Sequence, residues 1–477
     1  MENSNEIDPT TNNEAATADL KKATVSSARS ASIVAEALRR MSEQDSADED
    51  SADGLLPVQP RSFTQLGLSR AFLTDLTLKI IHYSGTPTAA QIGRRMGISP
   101  SLVQQIVSLL NEEGLLEMMS QADLYSGSYR YRLTSRGSER VHQALERSRY
   151  AGPVPVTAET YTEVMKRHMA RRQLMARWRI KESLSGLVLS EDIEDALGRA
   201  LYSGRSVLLF GPSGNGKTKI LQGFSEQADG VTIVPYAIYA HGQIIRIFDP
   251  SMHVPVEDLD EMPKGREERV DRRWVLVKRP VVILATELGP ESLELAYDPV
   301  SHFYQAPPHI KVQNGVLIVD DLGRNKMEAS AVLSRWLISL ERGWDTLTLA
   351  TGEKMTVPFR AQFLLATNLP VRNLADEALL RRIPYKIEVP SPSAQNFARI
   401  LKNACEDWHI KFNELELPEI VERLYNRPGF EVRAAHAHDL AQIILESAHF
   451  DGREPELNRE SFEKALELLT NHQESLA

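Results

Sequence analysis

Residues 211 to 218, GPSGNGKT, have the types and the spacing of a loop that holds phosphate groups. They match the pattern G-x-x-x-x-G-K-[ST] between an apolar strand and a helical stretch, which is the context that this pattern requires. Glycines let the backbone N–H groups turn toward phosphate oxygens, and the following helix adds its positive N-terminal end. Lys217 supplies a charge for the β- and γ-phosphates, and the Thr218 hydroxyl suits Mg²⁺. The residues that we expect to bind ATP are Gly211, Pro212, Ser213, Gly214, Asn215, Gly216, Lys217 and Thr218.

Two further apolar strands end in polar side chains that fit the same site. The stretch GVLIV is followed by Asp320 and Asp321, and the stretch AQFLLA is followed by Thr367 and Asn368. Buried parallel strands are apolar throughout, and ligands of open α/β sheets bind at the carboxyl ends of the strands. We therefore expect Asp320 to share Mg²⁺ with Thr218. We expect Thr367 and Asn368 to face the γ-phosphate if their strand lies beside the other two.

Length and composition bound the kind of protein that carries these residues. The 477 residues are enough for two or three domains with separate cores. The formal net charge of −10 argues against a general binder of nucleic acids or anionic membranes, although a local basic face stays open. Cys405 is the sole cysteine, which excludes an intrachain disulfide. The N-terminus has no apolar signal region and no later run reaches about 18 apolar residues, so we expect a cytoplasmic protein without membrane insertion.

The N-terminal part changes character at Phe63. Before it, the chain is rich in Ser, Ala, Asp and Glu and poor in large apolar groups, which predicts a disordered acidic tail. After it come three helical stretches, two short strands joined by a polar turn, and a final helix. Ser99 and Pro100 fit the N-cap and first position of the third helix. This order resembles a winged-helix domain. A Pro- and Gly-containing hinge and a basic amphipathic stretch, predicted to be a connecting helix, follow it.

The C-terminal part resembles an ATPase module of the AAA+ superfamily, because four elements occur in its order and spacing. The glycine loop and Asp320 correspond to the Walker A and Walker B positions, and Asp321 stands where the superfamily usually carries a water-activating Glu. Asn368 matches the sensor 1 position. The resemblance further implies an arginine finger and a sensor 2 arginine. The residues assigned to catalysis are then Asp321, Asn368, the finger candidates Arg381 and Arg382, and the sensor 2 candidate Arg433.

Two further features refine the resemblance. The stretch TLTLATGEKMTVPF has the pattern of a hairpin before the sensor 1 strand, as in the MoxR, magnesium-chelatase and NtrC branches. The long interval between Lys217 and Asp320 predicts an inserted β-rich element within residues 241 to 289. The whole is similar to bacterial ATPases described as chaperones linked to Flp pilus assembly. The GAFTGA-type loop of NtrC-like activators has no recognisable counterpart, which puts that kind of transcriptional activation in doubt.

The predicted fold class is α/β, an AAA+ P-loop parallel sheet with a C-terminal helical lid, preceded by a winged-helix (α+β) domain and a disordered tail. The predicted units are the acidic tail (1–62), the winged-helix domain (63–149), a basic helical linker (150–186), the AAA+ α/β nucleotide-binding domain (187–390) and the helical lid (391–477).

The leading functional hypothesis is a Mg²⁺-dependent ATPase ring that remodels a protein client chosen by the winged helix. The resemblance implies that the ring is a homo-oligomer, which we expect to be a hexamer. An alternative is a DNA-associated ATPase. The arginines that favour DNA are Arg94, Arg95, Arg130, Arg132 and Arg136. Against it, the expected recognition helix SPSLVQQIVSLLNEEG has no Lys or Arg, and groove binding depends on phosphate neutralisation. A third hypothesis is a slow nucleotide-gated switch, which the short Asp321 side chain suggests.

Overall fold

The computed structural model describes residues 57–119, 129–170, 177–227, 230–256, 270–285, 288–324 and 326–474. Nearly all of the acidic tail, residues 1–56, lies outside this range, as do the turn between the two strands of the N-terminal domain and residues 257–269 of the predicted insertion. Among the described helices, none combines the length and the apolar character needed to cross a membrane.

The N-terminal unit consists of helices around one antiparallel hairpin. Helices α1 to α4 span Phe63–Leu66, Arg70–Ser84, Ala89–Met96 and Pro100–Glu112; strands β1 and β2 span Leu116–Met119 and Arg130–Leu133; and helix α5 spans Ser135–Arg147. Capping explains the boundaries. Thr88 and Gln91 form a capping box at α3, and the predicted N-cap at Ser99 with Pro100 at the first position of α4 is confirmed. The winged-helix interpretation of this unit stays a prediction.

The central unit alternates strands and helices. Its elements in chain order are β3 Val156–Thr157, α6 Ala158–Ala170, α7 Arg177–Leu184, α8 Glu191–Tyr202, β4 Val207–Phe210, α9 Lys217–Gln227, β5 Val231–Pro235, β6 Ala237–Ala240, β7 Gln243–Arg246, β8 Trp274–Lys278, β9 Val281–Leu284, β10 Ala296–Asp298, β11 Phe303–Gln305, α10 Pro308–Lys311, β12 Val316–Val319, α11 Ala329–Arg342, β13 Trp344–Thr348, β14 Lys354–Pro358, β15 Gln362–Thr367, α12 Glu377–Leu380 and β16 Tyr385–Glu388. Two short 3₁₀ helices, Pro290–Leu293 and Val371–Asn373, complete it.

The C-terminal unit is helical with one small parallel ladder. Its elements are α13 Ala394–Asp407, β17 Lys411–Phe412, α14 Leu417–Tyr425, α15 Ala435–Phe450, β18 Glu456–Leu457 and α16 Arg459–Glu474. Its core is separate from those of the other units and includes Phe397, Leu440 and Phe462. A helical unit with its own core can move as a body relative to the sheet to which it is joined.

The central sheet has five parallel strands in the order β16-β4-β15-β12-β9. All residues of β12 and β15 are buried, which is the pattern of strands covered on both faces. The chain is therefore a mixed α/β protein with a parallel sheet, as predicted. One detail differs from the sequence-based interpretation, which placed Val281–Leu284 in the insertion. It is the edge strand of the central sheet, because a four-residue apolar run gives no local signal of the sheet to which it belongs.

A second sheet, in the order β10-β11-β7-β6-β3, is built mostly from the interval between the glycine loop and Asp320. Its β3 strand lies in the segment 150–186, which the sequence-based division treats as a linker. In the structure the first half of that segment is part of the core: Tyr161 of α6 is buried and its ring stacks on Trp274. The stretch that the sequence suggests as a hinge is likewise packed, because Val154 and Val156 are buried.

The N-terminal unit and the second sheet share one hydrophobic core. Ala237, Ile244 and Phe303 of the sheet pack among the buried residues of α1 to α5. The rings of Tyr150 and Phe303 meet edge to face at 5.8 Å. The end of the predicted tail also joins this assembly, since the side chain of Gln59 bonds both Gly97 and Arg272. Burial of this apolar surface holds the two parts together as one body.

The hairpin of β13 and β14 connects the central sheet to the second sheet. At its tip, the N–H of Ala350 donates a hydrogen bond to the Tyr304 hydroxyl at 3.0 Å. At its base, Asp345 is buried and accepts hydrogen bonds from His309 and Arg335. Burial alone would raise the pKa of Asp345, but these two partners lower it to about 2. The hairpin is therefore fixed at both ends by partners outside it.

The shared core leads to the first prediction. Phe303→Ala removes a buried ring from the contact between the N-terminal unit and the second sheet, so the unfolding free energy should fall by about 3–5 kcal/mol. Hydrogen exchange should then accelerate in α2 and α4 as well as in β11, because they protect one core. The matched control is Val300→Ala in the connection between β10 and β11. This residue is 64% exposed, and the expected change in unfolding free energy is within about 0.5 kcal/mol. Faster exchange confined to β11 would contradict the shared core.

Candidate nucleotide-binding site

The glycine loop connects the end of β4 to the start of α9. Gly211, Gly214 and Gly216 have φ values of 138°, 81° and 88°, which side chains rarely adopt. A Cβ at Gly211 would lie 2.4 Å from the carbonyl oxygen of Val389, so a side chain there would clash with the neighbouring strand end. A Cβ at Gly216 would meet no atom within 4 Å. The loop is therefore a cradle open on one side, of the shape that phosphate groups fit.

Lys217 reaches back over this loop. Its Nζ donates hydrogen bonds to the carbonyl oxygens of Gly211 at 2.8 Å and Pro212 at 2.7 Å. Burial lowers the pKa of Lys217, and the carboxylates of Asp321 and Asp320 oppose that shift. The lysine and the two carboxylates thus influence one another across the site. A positive charge held over an open glycine cradle suits a polyphosphate.

Thr218 and Asp320 are in direct contact although they are far apart in sequence. The Thr218 hydroxyl donates a hydrogen bond to Asp320 Oδ2 at 2.7 Å, and Asp320 Oδ1 accepts one from the Asp321 N–H. A hydroxyl and a carboxylate beside a phosphate cradle are oxygen ligands of the kind that Mg²⁺ takes. These two side chains fit a magnesium ion that also contacts a bound phosphate.

Asp321 and Asn368 form the second polar pair. Asn368 Nδ2 donates to Asp321 Oδ1 at 2.5 Å, and Asp321 has a positive φ of 51° at the end of β12. Thr367, which we expected beside Asn368 at the site, is instead fully buried and donates its hydroxyl to the Leu322 carbonyl. The expectation for Thr367 was wrong because consecutive side chains of a strand point to opposite faces.

A cavity of about 900 Å³ unites these groups. Its phosphate end is lined by residues 213–220 together with Asp320, Asp321 and Asn368. Its other walls come from residues 186–189, which include Leu187 and Leu189, and from lid residues of α13 and α15, which include Ile400 and His438. Ligand sites are commonly concave and apolar with a few convergent polar groups. The volume and the lining are those of a nucleotide-sized pocket between sheet and lid.

One contact between the lid and the helix of the loop joins residues that are far apart in sequence, and no sequence pattern predicts it. Lys219 Nζ lies 2.9 Å from Nε2 of His438. An ammonium group can only donate, so His438 accepts here as a neutral ring. Burial, followed by the charge of Lys219, lowers the pKa of His438, while Asp407 and Asp439 oppose the shift. The sequence signal was a lysine directly after the phosphate pattern, but its partner is more than 200 residues away.

The three arginines assigned to catalysis lie at different places. Arg381 and Arg382 do not line the cavity; Arg381 pairs with Glu377 at 2.7 Å and Arg382 with Glu341 at 2.5 Å. Arg433 lies at the loop, and its side-chain stem is 3.6 Å from the position that a Cβ on Gly214 would take. Its guanidinium is 3.7 Å from Glu431. Within the described part of one chain, the structure thus brings Arg433 next to the loop, and none of the three arginines lines the cavity.

Comparisons with known proteins match the lid to one family model and a larger part of the chain to solved structures. Residues 393–468, in the lid, match the model of a domain of unknown function (DUF8689). No curated protein matches the chain. RuvB from Thermotoga maritima, described as a Holliday junction branch migration motor, is similar over 62% of this chain and 70% of its own, at 14% identity and a TM-score of 0.33. A point mutant of that RuvB is similar over 61% and 73%, at 14% identity and a TM-score of 0.35.

The Lys219 and His438 contact leads to a prediction of pH dependence. The folded pKa of His438 is below the usual 6.5, so its contribution to stability is present above about 6.5 and is lost as pH falls through the folded value. His438→Gln keeps an acceptor for Lys219 but does not titrate. The unfolding free energy, measured by urea between about pH 5 and about pH 8, should fall more steeply toward acid in the wild type than in the variant. Equal slopes for the two proteins would contradict this role.

Proposed function

We propose that this protein is a Mg²⁺-dependent ATPase of the AAA+ type. One observation carries the proposal: the pair of Thr218 and Asp320 and the pair of Asn368 and Asp321 open on the same cavity as the glycine cradle and Lys217. A phosphate cradle alone would fit many ligands. The addition of a magnesium-type ligand pair and a second carboxylate within reach is what hydrolysis of a nucleoside triphosphate requires.

The residues of the site have two roles in phosphoryl transfer: some bind the phosphates, and others activate the attacking water. The loop N–H groups and Lys217 bind and orient the phosphates, and Thr218 with Asp320 would hold Mg²⁺. When bound, that ion would neutralise the negative charge of the phosphates during transfer. Asp321 orients the attacking water and accepts its proton, while Asn368 keeps the carboxylate in position through its hydrogen bond. The aspartate is one methylene shorter than glutamate, so the water must lie closer to β12 for the same contact.

The positions of Arg381 and Arg382 favour assembly into a ring, which we propose to be a homohexamer. Both lie outside the cavity of their own chain, at the end of α12. Arg381 is exposed, and its partner Glu377 is an exposed side chain on the same short helix. Exposed ion pairs of this kind are worth about 0–1 kcal/mol, so a phosphate of a neighbouring subunit can readily replace one. An arginine supplied in trans stabilises the charge of the transition state.

We further propose a protein client for the N-terminal unit, in a cytoplasmic setting. The exposed face of α4 carries Ser101, Gln104 and Ser108 and no cation. Three of the five arginines that favour DNA have partners within the chain: Arg130 donates to the Thr86 carbonyl, Arg132 pairs with Glu117, and Arg136 donates to the Glu113 carbonyl. The other two, Arg94 and Arg95, are exposed on α3 and not on α4. Affinity for nucleic acid depends on free cations that neutralise phosphates. This surface is better suited to hydrogen bonds with a protein.

The ATPase proposal predicts that loss of ATP binding and loss of turnover can be separated by mutation. Lys217→Ala should weaken ATP binding at least about tenfold, because a charged hydrogen-bond donor to phosphate is lost. Asp321→Asn should leave ATP affinity nearly unchanged and lower kcat by about 10²- to 10⁴-fold, because the proton acceptor is lost. Calorimetric titration and phosphate release measure the two effects. Lys354→Ala is a control that removes a lysine from the remote hairpin, and normal turnover in Asp321→Asn would contradict the assignment.

The ring proposal predicts catalysis in trans. Two variants should each be nearly inactive. The double variant Arg381→Ala with Arg382→Ala lacks the trans arginine, which contributes about 10³- to 10⁵-fold in rate. The single variant Lys217→Ala lacks the charge that binds the phosphates. Mixing them should restore part of the activity, because some interfaces then combine an intact loop with intact arginines. The control is Glu341→Ala, which breaks the Arg382 ion pair but keeps both arginines. Normal hydrolysis by the double variant, or specific activity unchanged by dilution, would exclude both the finger and the ring.

A further inference from the structure

Asn215 lies in the middle of the glycine loop, yet its side chain bonds residues of two other segments. Its Oδ1 accepts a hydrogen bond from the Ala434 N–H at 3.2 Å, and its Nδ2 donates to the Ser391 hydroxyl at 3.4 Å. The residue is 6% exposed. Both ends of the amide are thus used, and the loop pattern itself, in which this position is unrestricted, does not require an asparagine.

The two partners of Asn215, Ser391 and Ala434, lie where the lid joins the sheet and where it contacts the glycine loop. Ser391 belongs to the short segment that joins β16 to α13, the first helix of the lid. Ala434 is the N-cap of α15 and has no side chain that could cap the helix. The next N–H, that of Ala435, donates to the Gly214 carbonyl at 2.8 Å. The glycine loop therefore supplies the cap that α15 lacks, through one backbone carbonyl and one side-chain amide.

We propose that Asn215 is a positioning residue of the ATP site: it fixes the lid to the glycine loop, so that binding of phosphate by the loop sets the orientation of the lid. The inference rests on the proposed ATPase function and adds a residue to it. An amide is needed because one end must accept from a backbone N–H while the other donates to a hydroxyl. Aspartate would place a negative charge beside the phosphates, and alanine would provide neither group.

The geometry makes this link sensitive to loop movement. A hydrogen bond prefers an angle above about 150° and weakens steeply below about 120°. A rotation of the loop around phosphate would change the angles of the bonds to Ala434 and Ala435 together, because both acceptors belong to the loop. The contact between Lys219 and His438 lies one turn further along α15. These contacts act on the first two turns of α15, where a displacement tilts the helix and the lid core packed on it.

The test compares Asn215→Ala with Ser391→Ala. In the wild type, a non-hydrolysable ATP analogue should slow hydrogen exchange at residues 434–438. In Asn215→Ala, exchange there without nucleotide should rise roughly fivefold, and the response to the analogue should be lost, because the amide that joins loop to lid is absent. In Asn215→Ala kcat should fall roughly fivefold or more, since the lid is no longer aligned, whereas the affinity for ADP is compared in Ser391→Ala, which lies outside the loop and should change it less than about threefold.

Ser391→Ala removes only the bond on the sheet side and lies outside the loop, so it should give a smaller change in the same direction. It also tests the link if Asn215→Ala fails to fold. A wild type that binds and hydrolyses ATP, together with variants whose lid exchange and kcat equal the wild-type values, would overturn the role of Asn215 alone. A wild type that binds no ATP would overturn the proposed function, and the inference with it.

Discussion

The candidate site depends on the order of three parallel strands, with β15 between β4 and β12. In the observed register, Leu365 of β15 pairs with Leu208 on one side and with Val319 on the other. The three strands therefore end within a few residues of one another at one edge of the sheet, where the loop, the two aspartates and Asn368 follow them. A slip of one residue would turn each following side chain to the opposite face.

The hairpin of β13 and β14 lies in the chain between two neighbouring strands that both end at the site, β12 and β15. It is part of the connection between β12 and β15, so its two ends lead to Asp321 and Asn368. Its tip contacts the second sheet through Tyr304, and that sheet shares a core with the N-terminal unit. Packed elements thus run without interruption from the site to the part of the protein where we place the client. Continuity of packing is a route by which a change at the site can reach that surface.

Sequence alone predicted the parts of the site that are encoded locally. The glycine loop, Asp320, Asp321 and Asn368 each follow a recognisable apolar strand, and the hairpin shows its own alternation. The remaining features depend on contacts between distant residues, which leave no periodic signal. Val281–Leu284 could belong to either sheet, and the pairing of Gln59 with Arg272 joins segments more than 200 residues apart. The position of Thr367 failed for a different reason, since the face of a strand end depends on an exact register.

The glycine loop can bind phosphate on one side and contact the lid on the other, because a peptide group presents its donor and its acceptor in opposite directions. N–H groups that turn toward a phosphate leave carbonyls on the other side, and buried carbonyls need partners. Gly214 uses its carbonyl to cap α15, and Gly211 and Pro212 use theirs to hold Lys217. A helix that began with its own Ser or Asp cap would not need the loop in this way. The alanines at the start of α15 therefore make the docking of the lid conditional on the loop conformation, which is the property that a nucleotide-responsive lid requires.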